Sequence, residues 1–460
     1  MNYSASNIAL WSPVIQIGLI AGAILVANTL RRKIPLFRKS LMPTAVLAGF
    51  LLLLLRSLNI IDLGASFLET LTYHALALGF IAQSLRIPEK RADDGSFTGL
   101  KSGALIVSTY MLQVVLGLAI SLALVWTIKP DMFPAGGILL AMAYGQGPGQ
   151  ANNVGGIYEG MGMLGGKSFG LSLAAMGYLC ACVVGVIYLN VLNRRGKLKR
   201  VLQKQEVSGS VTTTIFEHEN EIPVAESIDR LSVQAALICL VYLLTYLLTA
   251  GVVWLLETVA PGLAASVSSL LWGFNFIVGS MVAMACRGII SGLRKAKIMN
   301  RQYQNNYLLS RLSGLAFDLM ITAGIASIEI SDLTGNWLPF LLMAVLGGAA
   351  TYWYLRWACN RLYYHYRHEA FLSMYGMLTG TISSGVLLLR EIDPEFKTPA
   401  SNNLLLGSSF GIGFGFPLLL LVNFAAISLQ NTLITMAIAG AYMAVLLLIM
   451  FKTGKRKKKQ

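Results

Sequence analysis

Apolar runs long enough to cross a bilayer dominate the chain, and that constraint comes before any other. They occupy 8–30, 41–56, 67–85, 101–127, 169–192, 232–256, 264–286, 307–330, 337–356, 403–426 and 433–451. A hydrocarbon core of roughly 30 Å takes about 20 helical residues, so each run reads as a spanning helix. Only 12% of the 460 residues are charged and 55% are hydrophobic, which excludes a disordered chain or an ordinary soluble domain. Residues 1–7 hold no Lys or Arg. The first run therefore lacks the basic start of a cleavable signal and is expected to be retained.

Two glycine-rich polar segments interrupt this pattern, one in each half. The first is Tyr144-Gly145-Gln146-Gly147-Pro148-Gly149-Gln150-Ala151-Asn152-Asn153, and the second runs from Gly376 through Thr379, Gly380, Thr381, Ser383 and Ser384 to Gly385. Interrupted hydrophobic segments at corresponding places in two halves point to a transporter's binding site. Non-helical backbone at membrane depth is tolerated only where it is buried in protein or lines a watery cavity. Pro148 has no N–H and ends any helix running into it, which frees carbonyl and amide groups. Carbonyls freed in this way suit Na⁺, whereas half-helix N-termini suit a carboxylate. Gln146, Gln150, Asn152 and Asn153 add donors and acceptors, and Thr379, Thr381, Ser383 and Ser384 add hydroxyls. Close helix packing through small residues is the alternative. It accounts for Gly411, Gly413 and Gly415, but poorly for the amides, because buried amides need partners.

Charge predicts the sides of the membrane. The strongest basic loops are Arg31-Arg32-Lys33 with Arg38-Lys39, Arg194-Arg195 with Lys197, Lys199 and Arg200, and Arg294-Lys295 with Lys297 and Arg301. The tail Lys455-Arg456-Lys457-Lys458-Lys459 joins them, and the positive-inside rule assigns all four to the cytoplasm. With the N-terminus outside, four crossings return the chain to the outside near Lys129-Pro130-Asp131. The run 169–192 must then cross inward to deliver Arg194, so 136–158 is expected to enter from outside and return. In the second half, the crossings between 232 and 356 bring Arg356, Arg361 and Arg367 inside. Two further crossings reach the basic C-terminus, so 371–389 is expected to enter from inside and return.

The expected fold is therefore an all-α polytopic membrane protein. It has two inverted-topology repeats of five helices plus one re-entrant hairpin each. The first repeat spans 1–192 (re-entrant 136–158), and 193–231 is a cytoplasmic connector. The second spans 232–426 (re-entrant 371–389), and 427–460 adds one helix and the basic tail. The connector is polar and aperiodic, and its His218 lies in the acidic stretch Glu217-His218-Glu219-Asn220-Glu221, which reads as a solvated loop rather than a metal site.

Other intramembrane polar groups are candidates in their own right. Asp318 lies about mid-depth in its run, and an acid there is a candidate cation ligand or proton carrier. Asn275 is a second candidate for ion coupling, and His74 reads as a hydrogen-bonded structural residue. Trp353, Tyr354 and Trp357 beside Arg356 read as an interfacial belt. The five Cys residues show no metal-ligand spacing and read as packed thiols. The net charge of +15 is confined to short loops and the tail, which argues against nucleic acid as a partner.

At the two interruptions the sequence resembles the bacterial sodium:glutamate symporter family. Gly145-Gln146-Gly147-Pro148-Gly149-Gln150-Ala151, followed by a stretch through Tyr158-Glu159, is similar to the family's first re-entrant motif. Gly376-Met377-Leu378-Thr379-Gly380-Thr381, continuing to Arg390-Glu391-Ile392, is similar to the second. Met42-Pro43 with Gly49 resembles the start of the family's second helix, and Asn423 in Leu421-Val422-Asn423 matches a late-helix motif. The departures are Gln146 for a His, Thr44 and Ala45 for a Glu and a Pro, Leu421 for an Asp, and Asp318 for an apolar residue. The resemblance implies a homodimer in the bacterial inner membrane, with sodium-coupled uptake of glutamate or a related small carboxylate by an elevator-like motion. It also implies no cofactor beyond Na⁺. Read from the residues themselves, the expected substrate-binding set is Gln146, Gly147, Gly149, Asn152, Asn153, Thr379, Gly380, Thr381, Ser383 and Ser384, with Asp318 and Asn275 as ion-coupling candidates; the late-helix motif adds Asn423.

Three alternatives stand beside this reading. One is a proton-coupled carrier of another small organic anion or neutral solute, working through Asp318. A channel is the second, since re-entrant segments also build selectivity filters; two dissimilar segments entering from opposite sides fit alternating access better. The third is an intramembrane enzyme, which would need a nucleophile–base pair or a metal cluster. No such motif is present, so the chain is not expected to be an enzyme.

Overall fold

The computed structural model describes residues 3–35, 37, 42–87, 97–195, 230–259, 268, 271–299, 301–393 and 398–452. Most of the connector with His218, the basic tail, Arg38-Lys39 and the stretch 260–267 lie outside the described residues. The helices in chain order are α1 (Ile8–Lys33), α2 (Thr44–Ser57), α3 (Ala65–Leu85), α4 (Thr98–Thr127), α5 (Pro148–Gly160), α6 (Gly166–Arg194) and α7 (Arg230–Val259). They continue as α8 (Asn275–Lys295), α9 (Asn306–Ala326), α10 (Trp337–Leu362), α11 (Arg367–Thr379), α12 (Ile382–Arg390), α13 (Ala400–Ala426) and α14 (Leu429–Lys452). Ten helices among the described residues are long and apolar enough to cross a membrane, so the chain is an all-helical, multi-pass membrane protein. α2, with 14 residues, is shorter than those ten.

One expected run is only partly described. Within the apolar window at 264–286, the described helix begins at Asn275, and it continues past the window to Lys295. A turn at Phe274 (φ −111°, ψ 32°) separates α8 from the helical residues 271–273. Arg287 marks the end of the apolar window, but it does not end the helix. Its guanidinium donates to the carbonyls of Ser84 and Arg86 at 3.0 and 2.9 Å, so the charge has partners without a loop. Tyr354, expected in an interfacial belt, is instead buried, with its hydroxyl 2.6 Å from Ser108 Oγ.

The chain divides into two compact units, each drawn from both halves of the sequence. The first comprises 1–72, 92–195 and 321–460, and the second comprises 73–91 and 196–320. In the first, α4 is the central post. α13, α14 and α10 pack along it, and it is buried on all sides over most of its length, as an apolar helix without a polar face must be. The C-terminal helix α14 is part of this wall. Tyr442 donates to Phe414 O at 2.8 Å, and Thr432 donates to Ala425 O at 2.8 Å.

Polar contacts gather the helix ends of this unit into two groups. In one, Lys167 at the start of α6 bonds Glu69 of α3 at 2.7 Å and pairs with Glu159 of α5 at 3.6 Å, while Ser168 donates to Asp332 at 2.8 Å. Lys129, after α4, reaches Asn336 before α10 at 3.1 Å. In the other group, Arg31 of α1 approaches Thr44 of α2 at 3.5 Å, and Ser102 of α4 meets Tyr363 after α10 at 2.7 Å. There, too, Tyr188 near the end of α6 meets His368 of α11 at 2.8 Å.

The second unit is held by an apolar cluster of Ile81, Ala82, Leu85, Ile238, Val241, Ala283 and Leu309. Asn306, at the start of α9, holds the main chain of Ile87 by both its N–H (2.7 Å) and its carbonyl (2.8 Å).

Arg56 at the end of α2 clamps the α9–α10 connection. Its guanidinium donates to Leu63 O at 3.0 Å, Ala326 O at 3.3 Å and Ile328 O at 3.5 Å, and pairs with Glu329. A lysine keeps the charge but not the fork. Arg56→Lys should therefore cost about 1–3 kcal/mol and lower the melting temperature of the detergent-solubilised protein. Glu329→Gln, which leaves the three carbonyl acceptors in place, should lower it less; an equal drop in both variants would show that the ion pair rather than the fork does the holding.

Candidate functional site: two apposed helix breaks

The first break follows from its sequence. After α4 the chain forms a 3₁₀ turn at Pro134–Ile138 and a π-helical turn at Ala141–Gly145. It then turns at Gly147, with φ 90° and ψ −178°, a backbone region essentially reserved for glycine. Pro148 opens α5 as its first residue, where a missing N–H costs nothing. The first backbone bond into the new helix runs from Ala151 N to Gly147 O at 3.1 Å. The N–H groups of Gly149 and Gln150 therefore have no intrahelical acceptor, and no side chain caps them.

The second break has the same construction. α11 ends at Thr379, Gly380 takes φ −141° and ψ −105°, and Thr381 is extended before α12 begins at Ile382. The first backbone bond of α12 runs from Gly385 N to Thr381 O at 3.0 Å. The N–H groups of Ile382, Ser383 and Ser384 thus point past the helix start, and Thr381 makes no side-chain cap.

The two breaks touch. A Cβ placed on Gly147 would lie 3.2 Å from Thr381 Cγ2 and 3.5 Å from Gly380 O. Two helix N-termini, each carrying a partial positive charge, therefore start at one point inside the first unit. The preceding segments end there as well, with their last carbonyls freed. Around this contact, Gln150 Oε1 and Nε2, Asn152 Oδ1, Thr381 Oγ1 and Ser384 Oγ are buried with no hydrogen-bond partner. Buried polar atoms normally have partners, and these atoms make the two breaks the candidate site.

Neighbouring helices frame the contact. On α6, a Cβ on Gly177 would sit 2.1 Å from Thr379 O, so only bare backbone lets that carbonyl approach. Tyr144 OH donates to Ala344 O at 2.7 Å. Tyr158 OH donates to Val422 O at 3.1 Å, which ties α5 to α13 beside Asn423. Gln113 of α4 donates from Nε2 to Leu378 O at 2.9 Å and to Thr351 Oγ1 at 3.0 Å. Sequence reasoning passed over Gln113, although a single amide inside a long apolar run is a signal of the same kind as Asp318.

Among the residues singled out from sequence, Gly147, Gly380, Thr381 and Ser384 meet at the contact, and Gly149, Asn152 and Asn153 follow it, buried on α5. Gln146 is half-buried at the end of the π turn. Thr379 spends its hydroxyl on Tyr375 O at 2.8 Å. Ser383 is the second residue of α12; its side chain lies outside the described residues. Asn423 is buried on α13.

Asn275 and Asp318 belong to the second unit. Asn275 donates to Tyr242 OH at 3.1 Å, and that hydroxyl lies 2.7 Å from His74 Nδ1, the structural partner expected for this histidine. Asp318 is exposed on α9 and makes no ion pair among the described residues. No group of three or more His, Cys, Asp or Glu placed to hold a metal ion occurs among the described residues. A cation held at the breaks would therefore take carbonyl, amide and hydroxyl oxygens, a hard-donor set suited to Na⁺.

Gly147→Ala puts a methyl in a backbone region that costs on the order of 1–3 kcal/mol, and against Thr381. Gly177→Ala meets a carbonyl that cannot yield. Both variants should lower the melting temperature, Gly177→Ala more; equal stability to wild type would mean that the breaks are not packed against each other. No protein-family model matches the chain and a search of curated proteins finds no match, so the functional reading rests on the geometry of these breaks.

Proposed function

We propose that this protein is a secondary active transporter, a sodium-coupled symporter of glutamate or a related small carboxylate. The observation that carries the reading is the meeting of two helix breaks at Gly147, Gly380 and Thr381, with buried donors and acceptors left unpartnered around them. The convergent N-termini of α5 and α12 offer N–H groups to a carboxylate. The freed carbonyls at the ends of the π turn and α11 offer oxygens to Na⁺. Both breaks belong to one compact unit, as an elevator-like carrier requires of its cargo site. The likeness of the two glycine-rich motifs to bacterial sodium:glutamate symporters points the same way, and with it to a homodimer in the bacterial inner membrane.

The grouping of helix ends supports the inverted repeat. The 134–160 segment begins and ends with the group that holds Lys129, Glu159 and Lys167, whereas α11 begins with the group that holds Tyr188 and Tyr363. By the positive-inside rule the second group, with Arg31 and Arg367, is cytoplasmic and the first external. In this reading 136–158 and 371–389 are re-entrant hairpins entering from opposite sides. The N-terminus lies outside and the basic tail inside.

Asp318 favours a second reading. An unpaired acid within a span is a proton-carrier candidate, so the coupling ion could be H⁺.

Uptake of labelled glutamate into proteoliposomes separates the two. An inward Na⁺ gradient should drive accumulation at least tenfold above the Na⁺-free control, and Asn152→Ala and Ser384→Ala should each reduce it about tenfold or more, as expected for buried ligand contacts. Uptake that follows a pH gradient without Na⁺ and disappears in Asp318→Asn would replace sodium by protons. Failure of every small carboxylate tested would sink the substrate class.

A further inference from the structure

Gln113 lies midway along α4, buried and committed in an unusual way. Its amide nitrogen donates to Leu378 O and to Thr351 Oγ1, at 2.9 and 3.0 Å. Its Oε1 has no partner and sits 2.9 Å from where a Cβ on Gly145 would be. Leu378 precedes Gly380 by two residues, and Gly145 precedes Gly147 by two. One side chain on the central post thus bonds the main chain two residues before the second break and packs beside it two residues before the first. Leu378 O is one of the last four carbonyls of α11, which no intrahelical donor reaches, and Gln113 supplies the missing donor. The close approach at Gly145 also depends on the bare backbone there, since Tyr110 Cδ1 would be 2.4 Å from a Cβ.

We propose that Gln113 is a positioning residue that interlocks the two breaks, so that the starts of α5 and α12 hold one mutual geometry. The inference rests on the transport reading for its purpose, but the interlock itself is physical and can be tested without cargo. Gln113 then sets how well the site is formed rather than touching the cargo. Losing it frees Leu378 O to seek another donor and leaves the Gly145 segment without its stop. Both breaks loosen together.

Hydrogen exchange on the purified, detergent-solubilised protein tests this directly. Gln113→Met keeps the length of the side chain and removes its polar atoms, and Gln113→Leu serves as a second variant if the first folds poorly. Amide exchange should speed up at least tenfold across both 144–150 and 376–384, with α13 and α14 unchanged. Faster exchange at one break only, at neither, or evenly along every helix would overturn the interlock. In proteoliposomes the same variant should raise KM for the transported carboxylate several-fold more than it lowers kcat. Absence of wild-type uptake would count against the transport reading alone, and the exchange result would still decide the interlock.

Discussion

A backbone amide or carbonyl at membrane depth must have a partner, and nearly everything informative in this chain follows from two places where the helix does not provide one. Within a bilayer an unbroken helix satisfies every main-chain group internally, and lipid offers nothing to the groups released when it stops. Pro148 and the Gly147 turn release them in one half, and Gly380 with extended Thr381 releases them in the other. The chain tolerates this because the breaks are buried in protein and set against each other. Each then supplies a low-dielectric wall beside the other's freed N–H groups.

Close approach of backbone makes that arrangement possible. Thr379 O can reach α6 only at Gly177, and the walls of α11 and α12 come together where a Cβ on Gly385 would lie 2.4 Å from Ser373 O. Without a hydrophobic force between helices in lipid, such close contacts and a few hydrogen bonds must hold the unit. α4 serves as the post for most of them, and α14, an addition outside the expected symmetry, pads its far side. The polar groups at the two breaks are therefore framed by close backbone contacts.

Much of this was legible in the sequence because the physics is local. Apolar runs mark helices, and proline and glycine mark where they stop; the breaks at 144–153 and 376–385 needed nothing more. What was not legible depended on contacts between distant segments. The window at 264–286 missed the turn at Phe274 and the extension to Lys295, because hydropathy does not register that Arg287 finds the carbonyls of Ser84 and Arg86. Thr379 looked like a ligand on composition, yet its hydroxyl bonds back to Tyr375 within its own helix, as threonines often do. Gln113 was invisible for the opposite reason: its role lies in which main-chain groups it faces, and Leu378 is 265 residues away along the chain. Asp318 and Asn275 stood out on chemical type alone, which does not show that both belong to the second unit.

The choice of coupling group bears on how coupling would work. If cation and cargo shared the oxygens at the breaks, sodium would act directly, by neutralising the freed carbonyls and letting the orphan amides and hydroxyls turn to the carboxylate. If Asp318 were the coupling group, the coupling ion would be a proton on a carboxylate of the second unit. The first route asks only for groups already assembled around Gly147 and Thr381. Gln150, Asn152 and Ser384, buried in the same two segments, would add amide and hydroxyl groups to that set. On physical grounds, the sodium reading asks less of the fold than the proton reading.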